Sequence, residues 1–567
     1  MKLKFLFCLL PALLMAHDLP AANRPWAVTA TAFKLVGGKE VNNVKLNWAA
    51  LADADTYRVY RNGELLKEVR TVTLDDYDLP VGENFTYHVE AVKDGIVIAT
   101  SESQEATTFL PTGRTRVYDN FDGRYITPAP ATEEPHGMKI GDTYYMYRME
   151  SERKHENGRD VRHWTMTESF SATGLDGSWS KPRVIASYSD VNFEGNGFCY
   201  NPNTGKVVFS SHYEDSVGYT AAKIFLAQIT PGGGIEVGTQ ERPLGHDSRD
   251  QSLFIDDDNT AYLLSATRMN NDINIYRLDE TWTKPVELVN TIYKGLHRET
   301  PAILKRDGEY YCFSSKASGW YPSQTVCISA SSLDGEWSPV QEIGNNSTFD
   351  AQFNGFASEG DICAVRSYHW GAQRKHKTTA GSFPRISIAT FNKGYVSMDY
   401  YRYIEYDEAG RVIPVQNGKN LSLGKPVSST VEGADGISPD CLTDGAAMTS
   451  SPCFIYGSST PAGTPYTLTM DLQEALPLRE INLATRLVNG SETAYKFTIE
   501  GSVDGKQYTM LFDGKDNWTV GFQIVDVTDS SHYRYLRLHV HDLINVHNGN
   551  SARWANGIYE FTVFGVK

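Results

Sequence analysis

Short apolar strands separated by turn residues recur along the whole chain, and one pattern among them recurs five times. Each copy starts with a carboxylate or its amide, and a small or apolar pair follows at the third and fourth positions after it. The copies are Glu134–Met138, Glu194–Phe198, Asp250–Phe254, Glu299–Ile303 and Gln352–Phe356. A turn and a second apolar strand follow each copy, as at Tyr144–Tyr147 and Tyr310–Phe313. A period of roughly 50 to 60 residues with several strands per copy predicts a five-bladed β-propeller.

The repeated pattern also predicts a functional ring of acids. In a propeller the first strand of each blade starts beside the central channel, so equivalent positions of the repeats converge. Carboxylates that are crowded and buried have a raised pKa, which suits an acid catalyst and does nothing for a core. For any single acid, a solvated strand end paired with Arg or Lys is the simpler interpretation. Five such residues at equivalent positions of the repeats favour a functional site.

Two further segments with strand patterns flank the repeats. Apolar and polar residues alternate from about Trp26 to Phe109, and Arg61–Glu64 has the composition of a hairpin turn, which predicts a small β-sandwich. The segment after residue 420 also predicts strands throughout. We therefore expect an all-β protein with a signal peptide at 1–22, a β-sandwich at 23–110, the propeller at 112–416 and a C-terminal β-sandwich at 420–567.

Composition and charge narrow the class of function. The 567 residues are enough for several domains, each with its own core. A net charge of -16 argues against nucleic acid and other acidic partners. Lys2 and Lys4 precede an apolar run from Phe5 to Met15 that is too short to span a bilayer, which is typical of an export signal. We expect a periplasmic or secreted monomer with no membrane span, whose partner is a polysaccharide or oligosaccharide.

Six cysteines follow the predicted export signal. Either Cys312 with Cys327 or Cys441 with Cys453 is suitably placed for a disulfide in an oxidising compartment. Burial as small apolar side chains is the simpler interpretation, and we favour it.

Acids and aromatic side chains around one funnel match the needs of glycoside hydrolysis. One carboxylic acid must protonate the departing oxygen, and a second group must direct water or attack the anomeric carbon. Aromatic faces provide flat surfaces on which sugar rings stack. Trp320 lies in the loop-like segment Ser318–Pro322, where a core position is less natural than on a strand. Tyr219 and Trp370 are further candidates for substrate binding.

Three segments of the predicted propeller resemble glycoside hydrolase family 43, and specifically its exo-β-1,3-galactanase branch. They are Ser248–Asp258, His297–Ala302 with Ser318–Trp320, and Thr348–Phe353. The resemblance implies that Glu299 is the general acid and that Asp250 orients Glu299 and tunes its pKa. It also implies that Glu194 binds the sugar. Gln352 matches a glutamine that this branch carries where a conventional base would be sought.

The identity of the catalytic base stays open. A neutral amide has almost no proton affinity near pH 7, so Gln352 can orient a water but cannot deprotonate it unless a basic tautomer is populated. Glu133 and Glu134 open the first repeat, where most of family 43 places its aspartate base. Glu150, a candidate for sugar binding, comes one residue later than the family's glutamate. That offset turns it to the opposite strand face unless a bulge intervenes.

The flanking segments resemble two other modules. Trp48, Tyr57–Gly63 and Leu79–Tyr87 resemble the fibronectin type III module. Five segments resemble the discoidin-like jelly roll of carbohydrate-binding module family 32: Leu421–Pro426, Leu442–Gly445, Tyr466–Leu472, Glu500–Gly505 and Arg534–Leu538. In that family a calcium ion is structural, which nominates Asp444 and Glu560 as metal ligands with suitably hard oxygens. No cofactor is expected for catalysis itself.

The leading prediction is an exported exo-acting glycoside hydrolase that releases galactose from β-1,3-galactan, such as the backbone of arabinogalactan, with inversion. An α-L-arabinofuranosidase or β-galactofuranosidase of the same family is the alternative among enzymes, because propeller loops set the sugar while the acid pair stays the same. A non-catalytic glycan-binding protein is the alternative from another class. The presence of both Asp250 and Glu299 argues against it.

Overall fold

The computed structural model describes most of the chain. The described residues are 25–38, 41–113, 115–127, 137–172, 178–215, 220–358, 360, 362–376, 381–457, 460–461 and 463–567. They form strands and four short 3-10 helices, at Pro243–Gly245, Ala434–Gly436, Pro439–Thr443 and Arg553–Ala555, with no α-helix among them. The predicted all-β class is confirmed. Glu133, Glu134, Tyr219 and the predicted signal peptide lie outside the described residues.

No helix within these ranges is long and apolar enough to cross a membrane.

Eight strands make up the N-terminal segment. They are β1 (Val28–Leu35), β2 (Asn42–Trp48), β3 (Thr56–Arg61), β4 (Glu64–Val69), β5 (Thr73–Leu79), β6 (Asn84–Lys93), β7 (Ile96–Thr100) and β8 (Gln104–Thr107). One sheet contains β1, β2 and β5, and another contains β4, β3 and β6 with β7 and β8 along β6. The hairpin predicted at Arg61–Glu64 joins β3 to β4 through Asn62 and Gly63. Both have positive φ (51° and 82°), a conformation that asparagine and glycine tolerate.

Five four-stranded sheets follow β9 (Arg116–Asp119) and β10 (Arg124–Tyr125), and each consists of four consecutive antiparallel strands. Sheet 1 contains β11 (Gly137–Ile140), β12 (Thr143–Glu156), β13 (Arg159–Ser171) and β14 (Arg183–Ser189); sheet 2 contains β15 (Asn192–Asn201), β16 (Lys206–Glu214), β17 (Lys223–Ile229) and β18 (Ile235–Glu241). Sheet 3 contains β19 (Gln251–Ile255), β20 (Ala261–Thr267), β21 (Asp272–Leu278) and β22 (Pro285–Ile292); sheet 4 contains β23 (Arg298–Arg306), β24 (Glu309–Lys316), β25 (Val326–Ala330) and β26 (Gln341–Glu342). Sheet 5 contains β27 (Gln352–Ser358), β28 (Cys363–Trp370), β29 (Ser382–Asn392) and β30 (Tyr395–Tyr400). The first strands of consecutive sheets lie next to one another, which brings their N-terminal ends together.

A seven-stranded sheet joins the N-terminal segment to the end of this region. Strands β31 (Tyr403–Tyr406) and β32 (Val412–Gln416) lie between β9 and β1, in the order β10-β9-β31-β32-β1-β2-β5. The pairing of β1 with β32 is parallel. The sheet therefore crosses the predicted boundary between residues 110 and 112, so the two segments share backbone hydrogen bonds.

The C-terminal segment is built around one long strand. Its strands are β33 (Lys419–Asn420), β34 (Val427–Ser429), β35 (Tyr466–Thr485), β36 (Thr493–Ser502), β37 (Thr509–Gly514), β38 (Phe522–Asp526), β39 (His532–Asn545) and β40 (Ile558–Gly565). The first half of β35 pairs with β34 and β39, and its second half pairs with β38 and β40. This strand thus links two groups of strands around one buried apolar core.

The cysteines at positions 199, 312, 327, 363, 441 and 453 are unbridged, and five of the six are buried. This arrangement agrees with the interpretation that they pack as small apolar side chains.

Candidate active site

The repeated pattern places its acids at matching points of the sheets. Asp250 directly precedes β19, Glu299 is the second residue of β23, and Gln352 is the first residue of β27. Glu194 lies near the start of β15. Because the first strands are neighbours, residues that are far apart in sequence meet at one end of the five sheets.

Glu299 is the centre of this group. Its Oε1 accepts a hydrogen bond from Gln352 Nε2 at 2.5 Å, and its Oε2 accepts one from Asn270 Nδ2 at 3.2 Å. Burial and then the negative charge of Asp250 raise the pKa of Glu299 to about 8. The carboxyl group is therefore protonated at neutral pH. A protonated carboxyl group is the state that a general acid requires.

Asp250 is held beside Glu299 by the backbone. Burial raises the pKa of Asp250, and the nearby His212 and the Thr300 N–H oppose that rise. The N–H of Thr300 donates to Asp250 Oδ2 at 3.1 Å. Thr300 has φ of 48°, an unfavourable conformation for a β-branched residue. Its hydroxyl fixes this conformation through the Phe353 carbonyl at 2.8 Å.

A bulge in β23 accompanies this conformation. The register between β23 and β24 shifts between Glu299 and Ala302. Such irregularities redirect side chains at the edge of a sheet. The Glu299 side chain and the Thr300 N–H both belong to the irregular stretch. One local distortion therefore positions the Glu299 carboxyl group and also directs the Thr300 N–H to Asp250.

Gln352 connects Glu299 to two tryptophans. Its Oε1 accepts a hydrogen bond from Trp370 Nε1 at 2.9 Å, so the orientation of the amide is fixed from both ends. Trp370 meets Trp320 edge to face, with ring centroids 5.1 Å apart. Trp320 is 49% exposed, an unusual state for so large an apolar ring. The two rings form an aromatic wall next to the acids.

Glu194 also lies near Asp250. Its charge contributes to the raised pKa of Asp250, after burial. Its Oε1 accepts a hydrogen bond from Asn192 Nδ2 at 2.8 Å. A register shift between Glu194 and Gly197 interrupts the pairing with β16. Glu194 is therefore close to the catalytic candidates, in a position suited to a sugar hydroxyl.

Glu150 is placed differently. The pairing of β12 with β13 is regular through this region, so no bulge turns the residue back. Its side chain is 67% exposed and lies 3.9 Å from Arg148. Glu150 is thus on the strand face that uninterrupted alternation predicts.

Two further residues of the site, Asn270 and Arg374, have no signal in the sequence pattern. Asn270 lies in the loop between β20 and β21, and Arg374 follows β28. Arg374 is buried, lies 2.8 Å from Asp350, and donates from Nε to the Trp320 carbonyl at 3.2 Å. Loop residues have no periodicity, so no pattern in the sequence pointed to either of them.

Asp444 and Glu560 come together in the C-terminal segment. The backbone N–H of Gly445 donates to Glu560 Oε2 at 3.3 Å. Burial raises the pKa of Asp444 to about 7. Burial and then the charge of Asp444 raise the pKa of Glu560. Within the described ranges no three His, Cys, Asp or Glu side chains form a metal-binding group. Two mutually repelling carboxyl groups do fit the charge of a calcium ion, whose other ligands are often backbone carbonyls.

Comparison with known proteins finds a family model that matches the region around this site. Residues 235–366 match the family described as Glycosyl hydrolases family 43. The matched range contains Asp250, Glu299 and Gln352. None of the curated proteins is similar enough in sequence to count as a match.

Solved structures similar to this chain include two exo-β-1,3-galactanases. One is from Phanerochaete chrysosporium, determined with galactose, with 22% identity over 76% of this chain and 95% of that chain and a TM-score of 0.45. The other is from Clostridium thermocellum, with 18% identity over 80% of this chain and 96% of that chain and a TM-score of 0.42.

Proposed function

We propose that this protein is an exo-acting glycoside hydrolase that releases galactose from β-1,3-galactan with inversion. The observation that carries the proposal is the half-buried Glu299 carboxyl group, which is flanked by Asp250 and by two amide donors; burial and the charge of Asp250 raise its pKa to about 8. In this proposal the five four-stranded sheets are the blades of a propeller. The N-terminal strands form a fibronectin type III-like sandwich, and the C-terminal strands form a discoidin-like carbohydrate-binding module.

The proposed reaction begins with proton transfer from Glu299 to the glycosidic oxygen. The bond between that oxygen and the anomeric carbon breaks, and a water oxygen bonds to the anomeric carbon from the opposite face. A base takes up the proton that the attacking water loses, and Glu299 is then reprotonated from solvent. Asp250 favours the protonated state of Glu299, because its negative charge makes a second carboxylate nearby costly.

The base remains one of the two alternatives that the sequence offered. Gln352 Oε1 already accepts from Trp370, and its second lone pair is suited to orient a water without deprotonating it. Glu133 or Glu134 would act as an ordinary carboxylate base. Replacing each of the three in turn distinguishes these roles, because azide rescues a missing carboxylate base and does not rescue a missing amide.

The preference for β-1,3-galactan rests on the galactanase-like segments around Asp250, Glu299 and Gln352. Trp320 offers an exposed face on which a sugar ring stacks, and Glu194 accepts hydrogen bonds from sugar hydroxyls. We place the enzyme in the periplasm or outside the cell, where such a polysaccharide is encountered.

A comparison of three substrates tests the proposed function. The protein is incubated with β-1,3-galactan, an arabinofuranosyl aryl glycoside and a galactofuranosyl aryl glycoside. Release of galactose from the polysaccharide alone, with the α anomer appearing first by NMR, supports the proposal. Release from an aryl furanoside instead assigns the alternative activities. Binding of galactan without any release would contradict catalysis and support a glycan-binding protein.

We also propose a structural calcium ion in the C-terminal segment. Asp444 and Glu560 are its carboxylate ligands, and the cation offsets their mutual repulsion. The ion would stabilise the turn after Asp444 and would take no part in the hydrolysis.

A further inference from the structure

The far ends of β12 and β13 form a two-stranded ribbon at one end of sheet 1. Within the part of the chain that the structure describes, β12 pairs with β11 at Thr143–Met146, and β13 pairs with β14 from His163 onward. Among the described residues, Arg153–Arg162, which we call the ribbon, pair with each other, and the Asp190 N–H donates one backbone hydrogen bond to the Arg162 carbonyl at 3.0 Å. Asn157 and Gly158 form its turn, with φ of 51° and 78°. A ribbon of this kind is only marginally stable unless other residues hold it.

Two arginines attach the ribbon to the start of sheet 2. Arg159 makes a two-point contact with Asp190, at 3.2 Å from Nη1 and 2.7 Å from Nη2. Arg162 donates from Nη1 to Asn192 Oδ1. The first contact is exposed at both partners, whereas the second is half-buried and leads toward the acids.

The contact of Arg162 decides which way the Asn192 amide faces. An asparagine amide has an oxygen that accepts and a nitrogen that donates. Arg162 only donates, so it selects the orientation in which Oδ1 faces the guanidinium. Nδ2 then faces Glu194 and donates to Oε1 at 2.8 Å. With the amide reversed, its oxygen would face a carboxylate and repel it.

We propose that Arg162 is a positioning residue that fixes Glu194 for substrate binding through Asn192. This inference rests on the proposed function, because Glu194 is taken as a ligand of the sugar. The ribbon of sheet 1 thereby controls the sugar-binding acid of sheet 2. Charge-assisted contacts such as that of Arg162 are stronger than neutral hydrogen bonds, so the amide orientation is well determined.

The test compares variants of the two attachments. Arg162→Met removes the donor, Arg162→Lys retains a donor, and Asn192→Asp places a carboxylate against Glu194. Asp190→Asn weakens only the attachment through Arg159 and is the matched control. We measure KM and kcat on a β-1,3-galactan oligosaccharide, the Kd for galactose by calorimetry, and Tm.

We expect Arg162→Met to raise KM and the galactose Kd about tenfold, which is the loss of one well-placed interaction. Asn192→Asp should raise KM and the galactose Kd further than Arg162→Met does. Arg162→Lys should restore most of the lost affinity, and Asp190→Asn should keep both constants within about twofold of the wild type. A wild-type KM and Kd in Arg162→Met, or an equal loss in Asp190→Asn, would overturn the proposal. An inactive wild type would instead overturn the proposed function, and the galactose Kd values would still decide the role of Arg162.

Discussion

The two sides of the candidate active site are held in different ways. Asp250 and Glu299 lie at the openings of β19 and β23, so backbone pairing and one bulge fix them. Trp320 and Trp370 form the aromatic wall and depend on a loop and a strand end. The acid side is thus set by strand register, and the aromatic side needs support from elsewhere in the molecule.

That support comes from the C-terminal segment. His376, just after Trp370 in sequence, stacks on Trp518 with ring centroids 3.5 Å apart. Lys375 Nζ donates to the His547 carbonyl at 2.8 Å. Tyr321, next to Trp320, meets the His547 ring at 4.6 Å. The C-terminal segment therefore also braces the aromatic wall of the candidate active site.

Removing the acid should have the largest effect. Glu299→Gln keeps the shape of the side chain but has no proton to donate, so we expect kcat on galactan to fall by about 10² to 10⁴-fold. Tm should stay close to that of the wild type. The control is Glu236→Gln on the outer strand β18, an exposed glutamate that pairs with Lys206. Substantial activity in Glu299→Gln would reject its assignment as the general acid.

The acid side should also control the pH dependence. Glu299 must be protonated to act, so kcat/KM should fall as pH rises through about 8. Asp250→Asn removes the charge that, after burial, raises the pKa of Glu299, so the fall should shift to lower pH. A profile of log kcat/KM against pH for both proteins checks this. An unchanged alkaline limb in Asp250→Asn would show that the two carboxyl groups do not interact.

A smaller effect should follow from weakening the aromatic side. Trp518→Ala removes the ring that His376 stacks on, and we expect KM to rise about threefold to tenfold while kcat changes less. Tyr508→Ala is the matched control. Trp518 packs under Lys496 at 3.9 Å, and Tyr508 packs under Arg537 at 3.8 Å. Of these two rings, Trp518 is the one that stacks on His376, which follows sheet 5's strand β28. An equal rise of KM in both variants would contradict the bracing role.

The smallest effect concerns the stability of the supporting segment. Asp444 has a folded-state pKa of about 7, above its ordinary value, so its contribution to stability is lost as pH rises toward 7. A calcium ion should offset this loss, and we expect it to raise Tm by about 3 °C or more at pH 8 and by less at pH 5. Thermal unfolding with calcium and with a chelator measures the difference. Asp444→Asn should abolish the gain; a gain that persists in that variant would place the ion elsewhere.

Features that depend on local alternation and repetition could be predicted from the amino-acid sequence alone. Alternation of apolar and polar residues predicted an all-β chain. The five copies of the repeated pattern placed Asp250, Glu299 and Gln352 at the N-terminal ends of strands. The hairpin at Asn62 and Gly63 was equally local. These features are encoded within a few residues, because strand alternation and turn conformation are properties of short segments.

The partners of those residues, in contrast, follow from how the strands and loops pack in three dimensions. Three contacts show this, and each joins segments that are far apart in the sequence and carry no periodic signal for the contact. They are the hydrogen bond from Asn270 to Glu299, the hydrogen bond from Arg162 to Asn192, and the stacking of His376 on Trp518. The seven-stranded sheet likewise pairs β1 with β32 across the intervening repeats. Such contacts exist only after the sheets have packed around one another, since their geometry follows from the closure of the whole fold and not from any neighbouring residues.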